Sequence, residues 1–175
     1  FVSNVTGRIG YRGYTVNDIV AEGEGAITLS PSNIIDDKFD LSKKTYLSWE
    51  KYEESPEIQV FENDILLAKT ASIGKVCIVP KNTEKFTINP QLVVLKSFMI
   101  DPKFLSFFMT CNKYKDQIYC SVVGGSTPTT SQHDISNHYI LSPPRTEQKQ
   151  IYDFLQKETT QFDDLISKSQ SQVKL

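Results

Sequence analysis

The diproline Pro143-Pro144 constrains this chain most, because it ends whatever precedes it and opens the last segment of the sequence. Neither proline has a backbone N–H to donate to a sheet or a helix, and each restricts the residue before it. Thr146 follows as a candidate N-cap, and Glu147 lies in the first turn, where the helix dipole favours an anion. The pattern predicts a helix over residues 147–172, about 39 Å long at ~1.5 Å per residue.

One face of this predicted helix is apolar. Its large side chains follow the alternating four- and three-residue spacing of a coiled-coil seam, which Glu158 and Ser169 interrupt. The residues expected to pair with another helix are Ile151, Leu155, Phe162, Leu165 and Ile166. Two interpretations fit: a helix that folds back on its own domain, or an arm that projects and pairs with a second helix. We favour the arm, because a helix of this length is too long to lie on so small a domain.

The composition indicates a folded domain with an appendage. Of 175 residues, 39% are hydrophobic and 23% are charged, and the net charge is −2. No apolar run reaches the ~18–20 residues of a membrane span and no signal pattern is present, so we expect a cytoplasmic protein without a membrane partner. The three cysteines lack Cys-x-x-Cys spacing, which predicts buried, reduced thiols. With only two histidines, no metal site is expected.

The charge is distributed unevenly along the chain. Between Lys81 and Lys115, six lysines face two acids, a local excess of four positive charges. Binding of nucleic acid needs a basic face rather than a basic average, so a net charge of −2 does not exclude it.

Short apolar runs bounded by turn residues predict β-strands in the first part of the chain. These runs are residues 26–29, 65–69, 75–79, 86–88 and 92–95, with a further short run at 139–141 before the diproline. Ser48 is expected to cap a brief helix over 50–52, and Ser131 to begin a helical turn with Asp134. Asp101-Pro102 is expected to begin one amphipathic helix over 102–119.

Strands followed by helices, without βαβ alternation, predict an α+β fold. We expect a mixed or antiparallel, β-rich domain with short helices over residues 1–142. One long coiled-coil-type helix over residues 143–175 follows it.

Residues 7–14, Gly-Arg-Ile-Gly-Tyr-Arg-Gly-Tyr, are too rich in glycine for a helix or a strand. A loop would present Arg8, Tyr11, Arg12 and Tyr14, residue types that bind phosphate, recognise guanine edges or stack on bases. Tyrosines packed beneath an ordinary turn would give the same pattern.

Two more loops have the composition of a DNA contact. A small-residue loop over 70–74 joins two predicted strands, and a hydroxyl-rich loop covers 124–130. Lysines and hydroxyls suit phosphates, whereas glutamine suits a base edge. The candidate contacts here are Lys69, Thr70, Ser72, Lys75, Ser126, Thr127, Thr129, Thr130 and Gln132.

Motifs for catalysis are missing from the sequence. There is no phosphate-binding loop, Gly-x-Gly-x-x-Gly, His-Glu-x-x-His or Gly-x-Ser-x-Gly. Ser142-Pro143-Pro144-Arg145 is one residue away from the signature of amino-group DNA methyltransferases, which needs an aromatic residue at the fourth place to stack on a flipped base. Arg145 stands there instead, so we reject that interpretation.

Several motifs, in order along the chain, resemble the DNA specificity (S) subunit of Type I restriction-modification enzymes. They lie at residues 10–15, 46–52, 63–75, 89–95, 124–129 and 143–155. The set resembles one target recognition domain followed by one conserved-region helix. Asn63 and Ala71 depart from the family's pattern, which more often has glycine at both places.

The resemblance implies a DNA-recognition role without catalysis and without a cofactor. Such subunits usually carry two recognition domains and two long antiparallel helices, and each domain recognises one half of a split DNA site. The implied partners are double-stranded DNA, the modification (methyltransferase) subunits and, through them, the restriction subunits. A second S half, or a second copy of this chain, would pair with the long helix.

Three other functions remain open on the sequence alone. One is a fragment of a methyltransferase or nuclease, against which the missing cofactor loop counts. Another is a protein-interaction adaptor that uses only the long helix. The third is the specificity domain of a related fused restriction-modification enzyme.

Overall fold

Most strands of the chain belong to two four-stranded sheets. The computed structural model describes residues 2–8, 10–82 and 84–173. In this part of the chain the strands are β1 (Val2–Thr6), β2 (Ile19–Val20), β3 (Gly25–Leu29), β4 (Ile34–Ile35), β5 (Lys38–Phe39), β6 (Tyr46–Ser48), β7 (Ile65–Ala68), β8 (Val76–Ile78), β9 (Phe86–Ile88) and β10 (Leu92–Phe98).

The first sheet has the order β1-β10-β7-β8 and is antiparallel throughout. The second has the order β2-β6-β3-β9, in which β3 and β9 run parallel. β4 and β5 form a separate hairpin. The predicted α+β class, with mixed and antiparallel pairing, is confirmed.

The two sheets share one apolar core. Side chains from β3 and β9 pack with side chains from β7, β8 and β10. Along each strand of the first sheet, successive side chains point to opposite faces, so only some of them belong to this core. The core contains Ile27, Leu29, Ile34, Ile58, Val60, Leu66, Ala68, Cys77, Val79, Phe86, Ile88, Leu92 and Val94. Residues of the other face, such as Ile65, Leu67 and Val93, are also fully buried. The first sheet is therefore covered on both sides.

Among the described residues, four short α-helices lie around these sheets: α1 (Trp49–Glu53), α2 (Pro102–Thr110), α3 (Asn112–Cys120) and α4 (Gln132–Ser136). α2 packs against β8 and α4 packs against β1. The predicted caps are confirmed, because the side chains of Ser48, Asp101 and Ser131 each accept a backbone N–H of the first turn.

The prediction of a single helix over residues 102–119 is wrong. Cys111 is extended (φ −72°, ψ 152°) and separates α2 from α3. The Thr110 hydroxyl donates to the Phe107 carbonyl at 2.7 Å, and the Cys111 carbonyl accepts the first N–H groups of α3. Polar and β-branched residues at 110 and 112 favour such a break.

The structure also differs from the predictions for two strands and for the cysteines. No strand forms at residues 139–141, and β1 was not predicted. Of the cysteines, only Cys77 is buried, and burial raises the pKa of its thiol to about 12. Cys111 is half-buried and Cys120 is exposed, so the expectation of three buried thiols is wrong.

The long helix, α5, spans Arg145–Val173. The Pro144 carbonyl accepts the N–H groups of Glu147 and Gln148 at 2.9 and 3.0 Å. The helix therefore begins one residue before the predicted cap, Thr146. The chain divides into two units, Phe1–Ile140 and Leu141–Leu175, close to the predicted boundary at residue 142.

No helix within the described residues has the length and apolar character needed to cross a membrane.

Candidate nucleic-acid interface

Two of the predicted loops and the turn before β10 lie at the same end of the first sheet. β1 ends at Thr6, which pairs with Val94 near the start of β10. β7 ends at Ala68, which pairs with Leu92 at the start of β10. Because antiparallel neighbours reverse direction, segments 7–14, 69–75 and 89–91 all lie at this edge, which we call the loop end of the sheet.

The loops at 69–75 and 123–130 form one continuous surface. Thr70 and Thr129 form an isolated bridge, and their Oγ1 atoms lie 2.9 Å apart. The Thr130 N–H donates to the Lys69 carbonyl at 2.9 Å, and the Ala71 N–H donates to the Pro128 carbonyl at 3.2 Å. Two segments about 60 residues apart in sequence are therefore joined by their backbones.

The backbone of the 69–75 turn explains why glycine suits position 71. Ala71 has φ 62° and Gly74 has φ 85°, both in the left-handed region. A side chain there costs roughly 1–2 kcal/mol, which glycine avoids. Asn63 has φ 66°, so glycine suits this position for the same reason, and asparagine is among the few other residues that adopt this conformation readily.

The hydroxyl and lysine side chains of this surface differ in exposure. Ser126 and Thr127 are exposed, while Lys69, Thr70, Ser72 and Thr129 are half-buried. Lys75 is exposed, and its Nζ donates to the Ile34 carbonyl at 3.1 Å.

Thr130 is an exception, since only 1% of it is exposed and its hydroxyl lies 2.7 Å from Ser121 Oγ. We therefore correct its predicted role to a structural one.

Arg8 also lies in the interior, with 5% of its surface exposed. Its Nε donates to the Ile88 carbonyl at 3.1 Å, and its Nη2 donates to Thr87 Oγ1 at 3.0 Å. Burial lowers the pKa of Arg8, and this effect is partly offset by Tyr14, Glu54 and Glu57. This burial argues against the predicted DNA contact at Arg8, because two of its N–H groups join residues 7–14 to β9.

Arg12 remains at the surface of the same loop. Its Nη1 lies 3.7 Å from Glu57 Oε2, and about a third of each side chain is exposed. Tyr14 is half-buried, and Arg8 Cζ lies 5.2 Å from the centre of the Tyr14 ring. This packing matches the alternative interpretation, in which the tyrosines pack beneath an ordinary turn. Tyr11 belongs to the 3₁₀ turn Gly10–Arg12, but its side chain lies outside the described part of the structure.

Gln132 connects α4 to this first loop. A Cβ built on Gly7 would lie 2.5 Å from Gln132 Nε2, so the end of the Gln132 side chain lies directly against the backbone of the loop. Gln132 is half-buried. The loop end thus brings together Arg12, Lys69, Ser72, Ser126, Thr127, Thr129 and Gln132, which belong to three separate stretches of sequence.

A pocket of about 310 Å³ beside the 69–75 turn was not predicted. It is lined by Ile35, Asp36, Asp37, Ile73, Gly74, Lys75, Lys115 and Tyr119. Lys115 Nζ donates to Asp37 Oδ2 at 2.9 Å, and Asp37 Oδ1 accepts the Val76 N–H at 3.0 Å. Lys115 and Tyr119 were interpreted only as part of an amphipathic helix, and no local sequence signal connects them to the turn.

The lysine excess between residues 81 and 115 does not form one basic face. Lys85 approaches Glu53, Lys96 pairs with Asp64, and Lys115 pairs with Asp37. Burial raises the pKa of Asp64, although its bond from the Phe61 N–H and the nearby Lys96 oppose that rise. Positive charge at the loop end comes instead from Arg12, Lys69 and Lys75.

Comparison with known proteins supplies a family for this arrangement. The family described as the Type I restriction modification DNA specificity domain matches residues 33–175. No curated protein sequence matches the chain.

Solved structures share the fold at low sequence identity. A chain from a structure described as the basis of complex assembly and conformational transition of the type I R-M system has a TM-score of 0.67 at 17% identity. The match covers 87% of this chain and 35% of that one. The HsdS subunit from Thermoanaerobacter tengcongensis has a TM-score of 0.66 at 16% identity, covering 92% of this chain and 35% of that one.

The S subunit of a Type-I restriction-modification system from M. genitalium has a TM-score of 0.52 at 19% identity, covering 94% of this chain and 41% of that one. The matches therefore cover 35–41% of the length of these solved chains. At such identities the likeness establishes the fold alone.

Proposed function

The chain belongs to the Type I restriction modification DNA specificity domain family, and from that premise we propose that its loop end binds one half of a split double-stranded DNA site. The observation that carries the proposal is the joining of the 69–75 and 123–130 loops at the end of the first sheet from which the 7–14 loop also leaves. Hydroxyls and lysines there suit phosphates, and Arg12 and Gln132 suit base edges.

In this proposal the chain acts in the cytoplasm, performs no catalytic step and needs no cofactor. It directs the modification subunits, and through them the restriction subunits, to their DNA. A protein-interaction adaptor is the rival function, and it predicts no affinity for DNA.

Titration of the full chain with mixed-sequence duplex DNA across a salt series separates the two functions. A DNA-binding loop end gives log K that falls linearly with log salt, with a slope of about −0.9 for each phosphate contact. Absence of binding at low salt would favour the adaptor.

We further propose that α5 pairs with a second helix, which in a solution of this chain alone is a second copy. Four large apolar side chains of this helix are 55–62% exposed: Phe154, Phe162, Leu165 and Ile166. Covering the exposed part of each would contribute up to about 1–2 kcal/mol. An antiparallel pair would set two recognition domains apart. Glu158 and Ser169 would weaken the seam and fix its register.

Sedimentation equilibrium of the wild type, Phe162→Asp and Thr160→Asp tests this pairing. Thr160 is exposed and lies opposite the seam, so its variant adds the same charge outside the proposed contact. We expect a concentration-dependent dimer that Phe162→Asp abolishes and Thr160→Asp retains. A wild type that stays monomeric at high micromolar concentration would refute the pairing and leave the DNA proposal intact.

A further inference from the structure

Arg12 is fixed at both its backbone and its side chain. Arg8 Nη1 donates to the Arg12 carbonyl at 3.3 Å, and the Gly13 N–H donates to the Gly10 carbonyl at 3.2 Å, which closes the turn. On the side-chain side, Glu57 Oε2 lies 3.7 Å from Arg12 Nη1. Arg8 therefore holds the backbone of Arg12, while the carboxylate beside its guanidinium comes from a different part of the chain.

Glu57 is anchored to the folded core rather than to the loop. It lies in the 3₁₀ turn Pro56–Ile58, whose Ile58 is fully buried. Thr6 Oγ1 donates to the Glu57 carbonyl at 3.1 Å, which ties this turn to the end of β1. The carboxylate is thus set on a rigid base next to the loop end.

The second carboxylate oxygen of Glu57 is buried in an unfavourable way. Oε1 is inaccessible, and no donor among the described residues reaches it. A buried acceptor without a hydrogen-bond partner lowers the stability of the fold. A carboxylate at this position is therefore unfavourable for folding. This arrangement is typical of a residue whose contribution lies in function rather than in stability.

We propose that Glu57 is a positioning residue that holds the Arg12 guanidinium in the direction needed for a base edge, guanine being the base that arginine recognises with two hydrogen bonds. Glu57 does not itself contact DNA, because its one accessible oxygen faces Arg12. This inference rests on the proposed DNA-binding function. Since a carboxylate repels the phosphates of any duplex, Glu57 also lowers the sequence-independent part of the affinity of the loop end for DNA.

A double-mutant cycle on the full chain tests the inference. The preferred duplex is first selected from random sequences by the wild type, and each variant is then measured on that duplex and on a scrambled one. The specificity ratio is the scrambled Kd divided by the preferred Kd. Arg12→Ala is expected to lower it about 5- to 150-fold, the range for a lost bidentate base contact.

Glu57→Gln keeps the size of the side chain and removes its charge. We expect it to lower the specificity ratio about two- to fivefold, while binding to the scrambled duplex stays equal or becomes tighter. In the Arg12→Ala background, Glu57→Gln should not change the ratio further. Loss of folding would instead weaken binding to both duplexes, and thermal unfolding of each variant identifies that case.

The outcomes separate this inference from the function it rests on. A wild type that binds neither duplex would overturn both. A wild type that discriminates, with Glu57→Gln effects that persist in full without Arg12, would overturn only the positioning role. An unchanged ratio in Glu57→Gln would do the same.

Discussion

Replacing Arg8 by methionine should lower the stability of the domain, and it should not remove a direct contact with DNA. Arg8 Nε and Nη2 make two buried hydrogen bonds, to the Ile88 carbonyl and to Thr87 Oγ1 at 3.1 and 3.0 Å. Hydrogen bonds from a charged donor contribute about 1.5–3 kcal/mol each. Two such bonds together contribute ~3–6 kcal/mol. Burying methionine costs less desolvation than burying arginine, which offsets part of that loss, so we expect the free energy of unfolding to fall by about 3 kcal/mol.

Urea denaturation followed by tryptophan fluorescence measures this loss. With m of roughly 1–3 kcal/mol/M, the midpoint should fall by about 1–3 M. Arg12→Met is the matched control, because about a third of the Arg12 side chain is exposed and its ion pair with Glu57 is long, at 3.7 Å. It should change stability by less than about 1 kcal/mol.

Thr87→Val supplies the second leg of a cycle. Thr87 is fully buried and accepts the Arg8 Nη2 bond, so its variant should destabilise less in the Arg8→Met background than in the wild type. A stable Arg8→Met protein that loses DNA affinity would refute the structural role and restore Arg8 to the DNA face.

Three further predictions follow from the loop end and from the segment before α5. Lys69→Ala and Lys75→Ala should weaken binding equally on all sequences and reduce the salt slope by ~0.9 per lost phosphate contact; an unchanged slope in both would place the turn away from DNA. Ala71→Gly should stabilise the domain by up to about 1 kcal/mol in urea, because relief of the left-handed strain exceeds the added chain entropy; a loss of stability would contradict that strain. His138 packs at 5.4 Å from the Tyr114 ring, and burial lowers its pKa more than Asp134 raises it. As the pH falls, His138 is therefore protonated in the unfolded chain before it is protonated in the folded chain, so stability is lost below about pH 6.5. His138→Phe should flatten the profile of stability against pH between about pH 7 and pH 5.

Local sequence signals predicted local structure well. The caps at Ser48, Asp101 and Ser131 were recognisable because each needs only an acceptor side chain two or three residues before a free N–H. The break at Cys111 was missed because helical spacing continues on both sides of it. Periodicity reports which face is buried, but it does not report whether one helix or two supply that face.

Long-range pairing was beyond the sequence. β3 and β9 lie about 60 residues apart and pair in parallel, and nothing in either short run specifies the other. The burial of Arg8 has the same origin, since its partners Thr87 and Ile88 come from β9. Composition identified the three loops as candidates, while only the fold shows that two of them bond to each other.

The most direct test of the central claim locates DNA on the domain. Cys111 and Cys120 are replaced by serine, and a single cysteine at Ser126 or at Glu62 carries a tethered iron chelate that cleaves nearby DNA. Ser126 is an exposed residue of the loop end, and Glu62 lies in the exposed turn before β7, at the opposite end of the first sheet. The account predicts cleavage of bound duplex from position 126 and none from position 62. Cleavage from position 62, with none from position 126, would contradict it.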